Sequence, residues 1–132
     1  MGQTKASEAT TEGIRITVTP RYVPERSQPG TGPYVFAYEV TIANVGVAAA
    51  KLLTRHWIIT DGEGREEHVR GPGVVGEQPD LAPGEAFRYQ SFCPLPTPEG
   101  GMHGTYRMVR PDGSAFDAVV APFALSVPRL LN

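Results

Sequence analysis

Gly71, Gly73 and Gly76 give the segment Gly71-Pro72-Gly73-Val74-Val75-Gly76 the spacing G-x-G-x-x-G. In a dinucleotide-binding fold that spacing lets backbone N–H groups and a following helix N-terminus face a pyrophosphate. Here Pro79, Pro83 and Gly84 follow closely and forbid the helix. The glycines are therefore expected to supply positive φ and close backbone approach in a tight excursion. The alternative is an anion nest for phosphate, pyrophosphate or nucleotide built from Gly71, Gly73, Gly76 and Arg70. Arg65 would add charge to it, while Glu63, Glu66, Glu67 and Glu77 would oppose it.

The other reactive side chains are sparser. Glu66, Glu67 and His68 are adjacent, but successive strand residues point to opposite faces, so only Glu66 and His68 can converge. Two donors do not make a metal site. His56 and His103 stand apart in sequence, and a histidine beside Trp57 reads as a packed or hydrogen-bonded residue. No G-x-S-x-G elbow occurs, and Cys93 sits between Phe92 and Pro94 with no neighbouring base, which reads as a buried or half-buried thiol. No catalytic residue, metal or cofactor is expected.

The elements that must position these residues are strands. Ile14, Ile16 and Val18 alternate with Arg15, Thr17 and Thr19, the period of a half-buried strand. Residues 20–33, broken by Pro20, Pro24, Pro29, Gly30, Gly32 and Pro33, are expected as a surface loop exposing Arg21, Glu25 and Arg26. Tyr34, Phe36, Tyr38, Val40 and Ile42 then share one face of the strongest strand, which Asn44-Val45-Gly46 ends. A third strand, about residues 50–60, carries Trp57 and Ile59 on one face and His56 and Ile58 on the other. Residues 65–84 read as a short strand and a long excursion, because their glycines and prolines interrupt pairing. Alternation resumes at Phe87 and Tyr89, and again at Tyr106 and Met108, with residues 94–101 as the connection.

Pro111-Asp112-Gly113 turns into a final strand in which Phe116, Ala118 and Val120 share one parity and Phe123, Leu125 and Val127 the other. The flip predicts a bulge near Pro122, at a sheet edge. The total is an all-β chain of about seven strands. With Trp57 buried in the third, this is an antiparallel immunoglobulin-like or fibronectin type III-like sandwich over residues 14–132, preceded by a flexible tail over 1–13. The residues expected to be largely buried are Phe36, Tyr38, Val40, Trp57, Tyr106, Phe116 and Phe123.

Composition agrees. A chain of 132 residues suits one core, and 15 Gly with 13 Pro beside 40% apolar residues favours short strands over helices. A formal net charge of −2 gives no general basic field, so neither nucleic acid nor a membrane surface is an expected partner. The single Cys93 allows no internal disulfide, which suits a cytoplasmic location, and no stretch approaches the roughly 20 apolar residues of a membrane span. No export signal is apparent, and Ala6 stands where a Met-Gly myristoylation motif wants Ser or Thr.

Leu81-Ala82-Pro83-Gly84-Glu85-Ala86-Phe87 resembles the Leu-x-Pro-Gly-x-x-Tyr strand start of fibronectin type III domains, with Phe87 lacking the tyrosine hydroxyl. A wider likeness runs from about residue 14 to 131. It is carried by Tyr34-Val35-Phe36-Ala37-Tyr38, Arg55-His56-Trp57-Ile58-Ile59-Thr60-Asp61-Gly62 and Gly71-Pro72-Gly73-Val74-Val75-Gly76-Glu77-Gln78-Pro79. It continues through Leu81-Ala82-Pro83-Gly84-Glu85, Thr97-Pro98, Gly101-Met102-His103-Gly104 and Pro122-Phe123-Ala124-Leu125-Ser126-Val127-Pro128. In that order these segments resemble the bacterial ApaG family. The resemblance implies a fibronectin type III-like sandwich and a small cytoplasmic protein. It also implies a genetic association with cobalt and magnesium resistance. Related domains in eukaryotic F-box and polymerase-interacting proteins imply protein binding.

The expected function is thus a non-enzymatic binding module engaged in protein–protein interaction, with another protein as partner and at most weak homo-oligomerisation. Its candidate surfaces are residues 20–33, the glycine excursion and residues 94–101. The alternative is a small-ligand protein using Gly71, Gly73, Gly76 and Arg70 for phosphate or nucleotide.

Overall fold

Ile14, Ile16 and Val18 are completely buried while Arg15 and Thr19 are exposed, so the period of two in the sequence is the period of the fold. The computed structural model describes residues 5–128. Its strands are β1 (Ser7–Thr11), β2 (Ile14–Tyr22), β3 (Tyr34–Asn44), β4 (Ala50–Asp61) and β5 (Glu66–Pro72), followed by β6 (Asp80–Leu81), β7 (Ala86–Leu95), β8 (Glu99–Val109) and β9 (Ala115–Ser126). A 3-10 turn at Pro24–Arg26 is the sole helical element among the described residues.

All pairs are antiparallel. One sheet runs β1-β2-β3-β7, and the other runs β5-β4-β8-β9 with β6 beside β4. The seven expected strands are all present. β1 and β6 are additional, and they raise the count to nine. β2 also continues through Pro20 to Tyr22, so the loop expected over 20–33 starts later. Pro20 lies beyond Val18, the last β2 residue paired with β1, at a position where a missing donor is tolerated.

β1 corrects the expectation of a flexible tail over residues 1–13. Ser7 to Thr11 pair with Val18 to Ile14, and Glu12 (φ 48) with Gly13 (φ 84) form the connecting turn. Thr11 Oγ1 accepts the Val119 N–H at 3.1 Å, tying the strand to β9. Its inward residues, Ser7, Ala9 and Thr11, are small. They pair as a strand without giving the bulky alternation by which strands are recognised. Residues 1–4 of that expected tail lie outside the described residues.

The parity flip in β9 has its predicted cause. Phe123 pairs with Met102 and Val120 with Gly104, so β9 carries one extra residue around Ala121 and Pro122. Phe116, Ala118, Val120, Phe123 and Leu125 are consequently all buried. Trp57 lies at the centre of the core, its ring centroid 5.4 Å from Tyr38 and 6.0 Å from both Tyr106 and Phe123. Each of the seven residues expected to be buried is buried. Phe87 is only half-buried, and the hydroxyl it lacks is supplied two residues on by Tyr89, whose Oη lies 2.5 Å from that of Tyr106 in the facing sheet. One hydroxyl donates to the other inside the core, and burial raises the pKa of both.

Candidate functional site

The glycine segment begins in β5 and turns back at once. Gly71 faces Arg55 in register, and a Cβ there would lie 2.9 Å from Arg55 Nη2. Without one, the guanidinium lies across the strand and donates from Nη1 to the carbonyls of Pro72 (3.1 Å) and Gly73 (2.9 Å). Gly73 has φ 62, and a Cβ on it would overlap the Glu77 carbonyl. Its N–H donates to Leu53 O at 2.8 Å. Val74 and Glu77 exchange two backbone bonds at 2.8 and 2.9 Å around Val75 (φ 44) and Gly76 (φ 81). Two positive φ angles in a two-residue loop make a type I′ hairpin turn. The Val74 side chain beneath it belongs to the core. Each glycine thus has a geometric task, and the N–H groups of Gly73 and Val74 are already engaged.

Val75 is a β-branched residue in the left-handed region, a strained arrangement on an exposed loop tip. Val75→Asn would create the Asn-Gly pair that type I′ turns favour. It should raise the unfolding free energy by about 1 kcal/mol, read as a higher urea midpoint at unchanged slope. A lower midpoint would show that the Val75 side chain is held by contacts that outweigh its strain.

Arg70 is not gathered with Gly73 and Gly76. It pairs with His56, which pairs in turn with Thr105 on β8, while Thr54 lies between Pro72 and Arg107. These residues and Gly71 line a groove of about 690 Å³ on the outer face of the β5-β4-β8-β9 sheet. Arg107 holds Asp117 at 3.3 Å, whereas Arg70 has no carboxylate within ion-pair distance among the described residues.

The sequence reading missed how the histidines meet. His68 and His103 both pair with Ile58, two residues from His56, which puts all three on this face. His56 Nε2 and His68 Nδ1 share a hydrogen bond of 2.9 Å, and His68 Nε2 lies 3.4 Å from Glu66 Oε1, the pair expected to converge. Desolvation, then the neighbouring Arg70, His68 and His103, lowers the His56 pKa and favours the neutral ring. Among the described residues no group of three or more His, Cys, Asp or Glu is placed to hold a metal ion.

A second concavity, of about 260 Å³, opens between β5 and β7, the edge strands at one side of the sandwich. Buried Trp57, Tyr38 and Met102 form its floor, Val69 and Phe92 lie at its rim, and Arg55 stands at the boundary with the outer groove. Phe92 is 40% exposed, with the Arg26 guanidinium 4.6 Å above its ring. The neighbouring Cys93 thiol is buried, and its pKa is pushed up to about 12 by burial and then by the charge of Glu67. It is therefore protonated at neutral pH and a poor nucleophile. Sequence parity hinted at this mouth only through Phe92, a large aromatic on the outward phase of a strand.

The family model described as ApaG domain matches residues 24–110. Protein ApaG of Anaeromyxobacter dehalogenans (strain 2CP-C) is 58% identical over 126 residues, covering 96% of this chain and 99% of that protein. Protein ApaG of Bordetella pertussis is 56% identical over 119 residues, covering 90% of this chain and 91% of its own. The crystal structure of the ApaA protein from Bordetella pertussis matches with a TM-score of 0.86 at 56% identity, over 89% of this chain and 95% of that one. The C-terminal domain of wzt, at 11% identity and a TM-score of 0.55 over 96% and 80% of the two chains, shares the fold alone.

Proposed function

The chain belongs to the ApaG family, and we propose that it is a non-enzymatic binding module that receives another protein at the mouth between β5 and β7. The observation that carries this reading is Phe92, a half-exposed aromatic beneath Arg26 at the lip of a concavity floored by Trp57, Tyr38 and Met102. Aromatic residues, Met and Arg are the types enriched in the energetic centres of protein interfaces, and edge strands offer backbone groups beside them. Arg26, Tyr38, Arg55, Trp57, Phe92 and Met102 all fall within the matched residues 24–110.

The module acts in the cytoplasm, and any association with metal resistance runs through the partner rather than through a resident ion. No helix among the described residues is long and apolar enough to cross a membrane. The reading gives the one thiol no catalytic role, because it is buried and protonated at neutral pH.

A photoreactive phenylalanine analogue placed at position 92 tests it, with position 47 as control, since Val47 is 97% exposed on a loop. Irradiation in the native cytoplasm should give a discrete protein adduct at 92 and none at 47. The same adducts at both positions, or none at either, would remove the mouth as the binding site.

A further inference from the structure

We propose that the outer groove of the β5-β4-β8-β9 sheet binds a carboxylate-rich, extended segment of the partner protein. This rests on the protein-binding reading and names the chemistry of a second contact. The groove is lined by Arg55, Arg70 and Arg107, against Asp117 as its one carboxylate, in a chain whose formal net charge is −2. Cations are therefore concentrated in this groove and outnumbered in the rest of the chain. Asp117 is engaged with Arg107, while Arg70 has no carboxylate within ion-pair distance among the described residues. Surface arginines gain from a carboxylate that accepts their planar fork of donors.

Spacing favours a peptide over a small anion. Arg70 lies opposite His56, and Arg107 lies opposite Thr54, so the two arginines are diagonal across β4. Strand geometry puts their Cα atoms about 12 Å apart. Alternate side chains of an extended segment project to one side about 7 Å apart, and side chains four residues apart about 13 Å apart, so carboxylates at that wider spacing can each meet one arginine over the floor of Thr54 and Thr105. The groove is open to solvent, and its volume of about 690 Å³ leaves room for several residues of extended peptide. Arg55 lines both the groove and the mouth, so a segment leaving the mouth across β5 enters the groove directly.

The test uses the whole protein and two fluorescent octapeptides, alternating Glu-Ser and alternating Gln-Ser, read by polarisation at low salt. The Glu peptide should bind and the Gln peptide should not. Arg70→Gln and Arg107→Gln should each weaken binding about threefold and together about tenfold, with a further loss of about tenfold as salt is raised through the screening range. Equal binding of the two peptides, retention in the double variant, or displacement by pyrophosphate at lower concentration than by unlabelled Glu peptide would overturn the proposal. Photocrosslinking at position 92 separates it from the broader reading. A specific adduct there, with partner affinity indifferent to both arginine variants, defeats the groove and leaves the mouth. Loss of the adduct defeats the mouth.

Discussion

Trp57→Ala should lower the unfolding free energy by about 3–5 kcal/mol, a large share of the ~5–15 kcal/mol that holds a domain of this size. The indole is 3% exposed and sits 5.4–6.0 Å from the rings of Tyr38, Tyr106 and Phe123. Truncation removes its transfer free energy and leaves a cavity between two sheets whose backbone bonds resist collapse. Phe92→Ala, at the half-exposed lip, should cost only about 1 kcal/mol. Chemical denaturation of both variants checks the pair. A Trp57→Ala loss below about 1 kcal/mol would mean that the aromatic cluster does not organise the core.

The second large effect is expected at Gly73. Gly73→Ala meets two obstacles at once: φ 62, and a Cβ that overlaps the Glu77 carbonyl and so disturbs the Val74–Glu77 pair. A loss of about 2–3 kcal/mol is expected. Gly76→Ala carries only the positive φ of 81, with open space around its Cβ, and should cost about 1 kcal/mol. Gly71→Ala presses on the flexible end of Arg55 and should cost least of the three. The ordering Gly73, Gly76, Gly71 follows from backbone geometry and local packing, with no ligand involved. A phosphate nest predicts a different observable: millimolar ATP or pyrophosphate would raise the melting temperature of the wild type. That rise is not expected, because the N–H groups of Gly73 and Val74 already have protein acceptors and Arg70 lies outside the turn.

Sequence legibility varied with the physics behind each element. Ile14, Ile16 and Val18, or Phe36, Tyr38 and Val40, announce strands because one face is buried and bulky, and Pro122 marks the bulge because alternation slips there. β1 was not legible, since its inward residues Ser7, Ala9 and Thr11 have no apolar bulk. The role of Gly73 could be anticipated from Pro79 and Pro83, which exclude a helix. The Arg55–Gly71 contact could not, because it depends on the β4–β5 register. The gathering of His56, His68, His103, Arg70 and Arg107 on one face is likewise a property of register across three strands, and no local pattern encodes it. The mouth requires the two sheets to be stacked before Phe92 and Trp57 share a concavity.

The decisive measurement is the affinity of the protein captured through position 92 for three forms of this chain: wild type, Phe92→Ala and Val75→Asn. Binding at the mouth, with the glycine turn serving only the backbone, requires Phe92→Ala to weaken affinity by about tenfold or more. It also requires Val75→Asn to stay within about twofold of wild type. A comparable loss from Val75→Asn would bring the glycine turn into recognition, and an unchanged affinity for Phe92→Ala would contradict the mouth as the binding site.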